Sequence, residues 1–195
     1  EMMHRTAMGV DQDYQNITKQ ISRTALADGW GGSMVSTDIS DILFGTPSPV
    51  EVEVDMGVLK EDQVNIIVHG HEPNLLESMV VSSGDPTLLE AAKNAGAKGI
   101  NLIGMCCSRL EALSRHGLPH AGNFSSTEAV MVTGAVDAMT VDIQCIKQAM
   151  KQVADFYDTP FITTNYRAKI EGALHIQLDE HNPRECTDEI VIKAI

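Results

Sequence analysis

Four short apolar runs, separated by longer segments of mixed polarity, dominate the chain from residue 63 onward. The runs cover Val64–Val68, Ile100–Ile103, Met139–Ile143 and Pro160–Thr163. Short apolar runs of this kind are typical of parallel strands that are buried on both faces. The first three end about 35–40 residues apart, which is the length of a strand–helix–strand unit. The pattern predicts an α/β fold over residues 63–195, a Rossmann-like open parallel sheet with flanking helices.

The segments between these runs carry the signals of helices. Asp85 as N-cap, Pro86 at the first helical position and Gly96 just past the end predict one helix after the apolar stretch Leu75–Val81. Further helices are predicted from about Cys107 to His116, from a capping box Ser125-x-x-Glu128 through Val132, over Ile146–Ala154, and over Arg184–Ile195.

Residues 1–62 are predicted to form a helical lead-in with an extended segment. Apolar residues recur at helical spacing in two stretches, and the glycines between the stretches are expected to end the first helix. Ser33 is expected to cap the second helix. These positions are Tyr14, Ile17, Ile21 and Ala25, then Gly29, Gly31 and Gly32, then Ile39, Ile42 and Leu43. Alternation of Val50, Val52 and Val54 with acidic residues indicates a half-exposed strand or an extended linker.

Composition and charge exclude several classes of protein. The net charge is −13, whereas nucleic acids and anionic membrane surfaces attract a basic face. No apolar stretch approaches the roughly 18 residues of a membrane span, and the first residues lack the layout of a signal peptide. The chain begins with Glu1, and we expect a piece of a longer protein. Four cysteines in 195 residues favour free thiols in a reducing cytoplasm.

Residues that bind soft metals follow three of the predicted strands. His69-Gly70-His71 comes after the first strand, Cys106-Cys107 after the second and Cys145 after the third. In an open parallel sheet, ligands bind beyond the carboxyl ends of the strands, where distant segments become neighbours. A histidine and two or three cysteines therefore converge on one point, which predicts a metal or iron–sulfur site.

Each of these residues also has an ordinary structural interpretation. Free cysteines are often small buried hydrophobes, and both imidazoles can simply form hydrogen bonds across the strand tops. A thiol at a helix N-terminus has a lowered pKa, which favours ligation, but neighbouring side chains diverge, so we expect one main ligand among Cys106 and Cys107. One of His69 and His71 is expected to ligate. Together with Cys145 they are enough for zinc with an open position, and too few for a four-cysteine cluster.

Other candidate residues are expected to be structural. The turn Asp28-Gly29-Trp30-Gly31-Gly32 is interpreted first as a helix C-terminus, and the ten methionines as core residues. Cys186 is expected not to ligate. Four histidines are assigned to helix ends or the surface: His116, His120, His175 and His181.

The same residues resemble a known family, the nickel-containing carbon monoxide dehydrogenases of anaerobes. The resemblance covers essentially the whole chain and fades toward the last few dozen residues. Its motifs are His4-Arg5-Thr6, Ala25–Gly32, Asp41–Pro49, Val68–Pro73, Gly99–Leu102 with Cys106-Cys107, Gly122–Phe124, Thr133–Met139, and Val141–Cys145.

The resemblance implies a nickel–iron–sulfur cluster that interconverts carbon monoxide and water with carbon dioxide, protons and electrons. It assigns His71 and Cys107 to the cluster's outlying iron, Cys145 to the cluster, and Asp28 to an acid close to the active site. Cys106 is kept as a further cofactor-binding candidate. Family members are several times longer, so the chain is expected to be their central Rossmann-like domain, to supply part of the ligands and to be inactive alone.

The resemblance also implies partners and a location. These are carbon monoxide, carbon dioxide and water as substrates, the rest of the same enzyme chain, a homodimer, an electron carrier such as ferredoxin, and a cytoplasmic location. The full-length protein would hold further 4Fe-4S clusters, which this segment does not bind.

Three alternatives stay open. They are an iron–sulfur redox protein of the hybrid-cluster type, a non-enzymatic metal-binding α/β module, and a metal-free domain that only docks partner subunits.

Overall fold

The computed structural model describes residues 1–108 and 115–195. Within these residues the strands form one six-stranded sheet in which every pair of neighbours is parallel. The strands are β1 Val64–His69, β2 Ile100–Met105, β3 His120–Gly122, β4 Ala138–Val141, β5 Phe161–Thr163 and β6 Leu174–His175. Their order is β3-β2-β1-β4-β5-β6, the classical doubly wound order. The predicted Rossmann-like fold is confirmed.

The helices of the described residues fall into two groups. The first group, in the amino-terminal part, is α1 Met2–Arg5, α2 Tyr14–Ala27 and α3 Ser36–Phe44. The second group surrounds the sheet and comprises α4 Pro73–Ser83, α5 Pro86–Asn94, α6 Thr127–Met131, α7 Met150–Phe156 and α8 Pro183–Ala194. Contacts divide the chain into two compact units, Glu1–Pro47 and Ser48–Ile195. The domain boundary after residue 62 stays a prediction.

The first unit corrects the predicted helix break. A π-helix over Asp28–Val35 carries the chain from α2 into α3, so the glycines there do not end a helix. Ser33 lies within this π-helix and caps nothing. Glycine is a poor helix former, but a wider π turn tolerates it, and π segments often lie at functional sites. In the second unit, Val54 forms a single bridge to His120, and the preceding residues are otherwise irregular.

The sheet is covered by helices on both faces. One face packs against α4, α5 and α8 through a buried cluster that includes Leu75, Met79 and Ile190. The other face packs against α6 and α7, with Met131, Met139 and Met150 fully buried. Both faces are therefore mainly apolar, which is why β1 is rich in hydrophobic residues, with Asn65 as a buried polar exception. The expectation that methionines fill the core is confirmed for these positions and for Met79 and Met105, but it is wrong for five exposed ones: Met2, Met3, Met8, Met34 and Met56.

Several helix signals hold and others shift. Asp85 caps α5 as predicted, accepting hydrogen bonds from the Thr87 and Leu88 backbone N–H groups. The predicted capping box at Ser125 and Glu128 is wrong, because Asn123 and Ser126 form the reciprocal cap. Glu128 instead bonds Lys147. The helix predicted from Cys107 to His116 falls mainly on residues 109–114, outside the described residues.

The chain after the third predicted strand differs most from the prediction. β4 ends at Val141 rather than at residue 143, and α7 begins at Met150 rather than at residue 146. The intervening residues form an irregular connection that contains Cys145. No helix among the described residues is long and apolar enough to cross a membrane.

Candidate metal centre

His71, Cys107 and Cys145 lie together just beyond the carboxyl ends of the central strands. Their ligand atoms all lie within 4.8 Å of one another, and Cys145 Sγ is 3.9 Å from His71 Nε2. Tetrahedral sites with such ligands place the donor atoms about 3.5–3.8 Å apart, so shifts of about 1 Å bring all three onto one ion. The arrangement can hold a soft or borderline metal, since thiolate and imidazole ligands suit zinc, iron and nickel.

The strand order explains why these three residues meet. β1 pairs with β2 on one side and with β4 on the other, and all three run parallel. Their carboxyl ends therefore lie side by side, although the residues that follow them are far apart in sequence. The chain connections from β1 lead to β2 on one side and later to β4 on the other, so they wind in opposite directions. The crevice beyond the carboxyl ends of β1 and β4 is therefore the topological switch point, where ligands of this fold class bind.

The His71 ring is oriented by the backbone of the neighbouring strand end. Its Nδ1 lies 3.2 Å from the carbonyl oxygen of Ile143. A carbonyl only accepts hydrogen bonds, so Nδ1 carries the proton and Nε2 keeps a free lone pair directed toward Cys145. Metal-binding histidines are commonly fixed in this way by a carbonyl behind the ring.

Asp142 is a buried carboxylate that the sequence reasoning missed. Its side chain, in a residue only 1% exposed, accepts hydrogen bonds from the backbone N–H groups of His71 at 2.7 Å and Glu72 at 3.0 Å, and also from that of Ile143. Burial raises the pKa of the Asp142 carboxyl, and these N–H donors oppose that rise. The available signal was an acidic residue directly after a buried strand, within the motif Asp142-Ile143-Gln144-Cys145.

The Cys107 turn is attached to the His71 turn by a second buried hydrogen bond. The hydroxyl of Ser108, which sequence reasoning also missed, donates to the Gly70 carbonyl at 3.0 Å. The Sγ of Cys106 lies 4.0 Å from that of Cys107. The expected lowering of the thiol pKa is wrong for Cys107: burial, and then the neighbouring Cys106, raise its pKa to about 11. Desolvation and adjacent thiols both disfavour the charged thiolate.

Cys145 occupies a strained and accessible turn. Cys145 and Gln144 both have positive φ angles, 51° and 61°, and Cys106 has a φ of 59°. Such a conformation costs non-glycine residues about 1–2 kcal/mol each, and strain of this kind tends to lie at functional sites. Cys145 is exposed and borders a cavity of about 330 Å³. The cavity is also lined by Gln144, Ile146, Gln148, Ala168, Lys169 and Ile170.

His69 differs from His71 in burial, position and contacts. It is 1% exposed, lies on β1 itself, and contacts the backbone of Cys145. Burial, followed by the nearby His71 and Lys147, lowers the pKa of His69 to about 4. Its Nε2 has no hydrogen-bond partner among the described residues. Of the two histidines that the sequence left open, His71 is the one grouped with the thiols.

The remaining candidates lie elsewhere. Asp28 begins the π-helix of the amino-terminal unit, with its side chain against Gly32. Cys186 is buried on α8 within the core. The expectation of a surface position is wrong for His120, which is fully buried on β3.

Comparison with known proteins gives a consistent result. A family model described as the Prismane/CO dehydrogenase family matches residues 1–195. Carbon monoxide dehydrogenase 1 of Methanosarcina mazei is 49% identical over 195 residues, which are 100% of this chain and 31% of that protein. The carbon monoxide dehydrogenase/acetyl-CoA synthase subunit beta of Moorella thermoacetica is also 49% identical over 195 residues, which are 100% of this chain and 28% of that subunit.

Solved structures agree with the sequence relatives. The as-isolated, nickel-free carbon monoxide dehydrogenase of Thermococcus sp. AM4 superposes with a TM-score of 0.94 at 48% identity, covering 98% of this chain and 30% of that one. Carbon monoxide dehydrogenase IV of Carboxydothermus hydrogenoformans gives a TM-score of 0.92 at 47% identity, covering 98% of this chain and 30% of that one. The chain thus spans about 31% of the length of the M. mazei relative.

Proposed function

The chain belongs to the Prismane/CO dehydrogenase family, and from this premise we propose that it forms part of a nickel-containing carbon monoxide dehydrogenase. The reaction is CO + H2O ⇌ CO2 + 2H⁺ + 2e⁻. The observation that carries the proposal is the convergence of His71, Cys107 and Cys145 at the switch point of the sheet. The relatives described above are all named carbon monoxide dehydrogenases, and none favours the hybrid-cluster alternative.

The donor set fits a nickel–iron–sulfur cluster. Two thiols and one imidazole within 4.8 Å of one another are ligands suited to iron and nickel. We propose that His71, Cys107 and Cys145 hold part of the cluster and that Cys106 lies beside it as a further candidate. Three donors do not complete a cluster of several metal ions, so the remaining ligands would come from other segments. A third solved relative, an acetyl-CoA synthase/carbon monoxide dehydrogenase at 46% identity, holds NiZn[Fe4S4] and NiNi[Fe4S4] clusters in its alpha subunits.

The side chains would have different roles at a bound cluster. His71 would keep its proton on Nδ1, bonded to the Ile143 carbonyl, and would offer the unprotonated Nε2 to a metal. Cys145 is exposed and lines the cavity, which would leave a metal bound there open to small molecules. When bound, such a cluster supplies a soft metal for carbon monoxide and a Lewis-acidic metal that lowers the pKa of water.

Asp28 is proposed as a residue that holds a proton during the reaction. The support is the family motif Asp28-Gly29-Trp30-Gly31-Gly32, together with its place on a π-helix, a feature enriched at functional sites. We further propose a cytoplasmic location, a homodimeric enzyme and an electron carrier of the ferredoxin type. These follow from the family resemblance.

Anaerobic metal analysis tests the proposal. The chain is produced in cells supplemented with iron and nickel, beside a Cys107→Ala, Cys145→Ala double variant and a Cys186→Ala control. We expect bound iron or nickel in the wild type and the control, and its loss in the double variant. Reduction of a low-potential dye by carbon monoxide, measured in parallel, is expected to be absent for the chain alone.

Two results would contradict a metal site that these three residues form within this chain alone. Metal that persists in the double variant places the site elsewhere. A folded wild-type chain that binds neither metal shows that these residues do not form a metal site by themselves. In the first case the convergence of the three ligands has no bearing on metal binding.

A further inference from the structure

We propose that Asp142 is a positioning residue that prearranges His71 and Cys145 as a ligand pair before any metal binds. This inference rests on the proposed metal-binding function, which it deepens. It concerns the chain's own hydrogen bonds and therefore has a test that does not depend on enzyme activity.

Both carboxylate oxygens of Asp142 are used. Oδ1 accepts the His71 N–H at 2.7 Å and Oδ2 accepts the Glu72 N–H at 3.0 Å, while Ile143 N–H also donates to Oδ1. Two of these donors follow β1 and the third follows β4. The side chain therefore ties the ends of two strands together at the place where the ligands lie. Hydrogen bonds to a charged acceptor are about twice as strong as neutral ones.

The same carboxylate acts on His71 twice. It fixes the backbone of His71 directly, and it fixes Ile143, whose carbonyl orients the His71 ring through Nδ1. With both ends of the residue held, Nε2 is presented 3.9 Å from Cys145 Sγ. Cys145 follows Asp142 by only three residues, so the anchoring of Asp142 and Ile143 also limits where Cys145 can be.

Gly70 supplies independent support. Its φ is +150°, and a Cβ placed there would overlap the Asp142 carboxylate. The glycine between His69 and His71 thus provides the space that the carboxylate occupies. If the glycine served only the turn, its positive φ would be its only requirement. Here the absence of a side chain at Gly70 also makes room for Asp142, a residue 72 positions away in the sequence.

An isosteric substitution isolates this role. Asp142→Asn keeps the size of the side chain but replaces one acceptor oxygen by an NH2 group, which faces a backbone N–H and cannot accept from it. Asp137→Asn is a matched control. Asp137 also accepts a hydrogen bond from a backbone N–H, that of Asn65 at 2.7 Å. It precedes β4, however, and so lies at the amino-terminal end of the strand that Asp142 follows. It is more exposed than Asp142.

The first measurement is an anaerobic titration of the full chain with Co²⁺, followed through the thiolate-to-cobalt charge-transfer absorption. Loss of an outer hydrogen-bond partner of a metal ligand typically weakens metal binding by about 10- to 100-fold. We expect an increase of that size in the Co²⁺ dissociation constant for Asp142→Asn. We expect no change for Asp137→Asn. Equal effects of the two variants would overturn the inference.

The second measurement needs neither metal nor a folded variant. Nitrogen-15 NMR of the metal-free wild-type chain reports the His71 tautomer, which we expect to be protonated at Nδ1. Slow amide exchange at His71 and Glu72 is expected alongside it. A ring that averages between tautomers, or fast exchange at both amides, shows that no prearrangement exists.

The two measurements separate the two proposals. Absence of cobalt binding by the wild type, together with a fixed tautomer and protected amides, would reject the metal-binding function and leave the prearranged ring in place. Cobalt binding by the wild type that Asp142→Asn leaves unaltered would reject the role of Asp142 and leave the metal site in place.

Discussion

Replacing Gly70 by alanine should destabilise the second unit far more than a comparable substitution elsewhere. A positive φ costs an L-residue about 1–2 kcal/mol. At Gly70 the new methyl group also displaces the Asp142 carboxylate from the backbone N–H groups that it accepts. Hydrogen bonds to a charged group contribute about 1.5–3 kcal/mol each, so losing two adds about 3–6 kcal/mol. The sum is about 4–8 kcal/mol before relaxation, against a typical domain stability of about 5–15 kcal/mol.

Gly96 offers a matched control for this substitution. Its φ is +105°, and a Cβ there would meet nothing within 4 Å. Gly96→Ala should therefore cost only the backbone term, about 1–2 kcal/mol. In an Asp142→Ala background the overlap at position 70 disappears, and Gly70→Ala should fall to a similar cost. The two substitutions are then strongly non-additive, as expected of residues in direct contact.

The assay is urea unfolding followed by amide exchange in β1. Trp30 is the only tryptophan and lies in the amino-terminal unit, so its fluorescence reports the wrong unit. A cost for Gly70→Ala no greater than that for Gly96→Ala would refute the reasoning. So would strict additivity with Asp142→Ala, since the overlap would then contribute nothing.

Three further predictions concern other parts of the second unit. The side chain of Asn65, a residue 2% exposed, donates to three backbone carbonyls at 2.8, 2.9 and 3.3 Å and accepts from two further groups. Asn65→Ala should therefore lower the free energy of unfolding by about 2–4 kcal/mol. A loss below about 1 kcal/mol in urea unfolding would show that water replaces these bonds. In the metal-free chain Cys145 is exposed, whereas Cys186 is buried and burial raises its pKa to about 12. An alkylating reagent should therefore modify Cys145 in the folded chain and Cys186 only on unfolding, as measured by peptide mass spectrometry. Equal labelling rates would contradict that exposure pattern. The Thr87 and Leu88 backbone N–H groups and Arg184 hold the pKa of Asp85 below its ordinary value, so its contribution to stability is complete above the unfolded pKa and is lost as pH falls through the folded one. Asp85→Asn should therefore make the urea midpoint less sensitive to acid, and an unchanged acid profile would argue against it.

The central strands could be predicted because both of their faces are buried. β1 and the start of β2 are mainly apolar, each interrupted by one asparagine, and this apolar character is a direct result of helices on each side. β3 and β6 have only three and two residues, too few for any periodicity, and a histidine and a glycine interrupt the hydrophobic signal in β3. The order of strands depends on contacts between distant segments, which no local pattern encodes.

The candidate ligands could be predicted, but the residues that orient them could not. His71, Cys107 and Cys145 have side chains with recognisable metal chemistry at strand ends. Asp142 falls inside the predicted strand Met139–Ile143, and burial of its carboxylate becomes reasonable only when three backbone N–H groups are known to face it. The π-helix was missed for a related reason: glycines normally end an α-helix, and nothing local signals a wider turn.

The placement of the ligands on three separate strand ends has a consequence for protein synthesis. His71 and Cys145 are 74 residues apart in the chain, and they meet only after β4 has docked against β1. During synthesis from the amino terminus, the earlier histidine emerges long before its partner. Parallel pairing across such separations is slow, because the loop must close before its contacts form. The nascent chain thus lacks the grouped ligands, and loading with metal has to wait until the sheet is assembled.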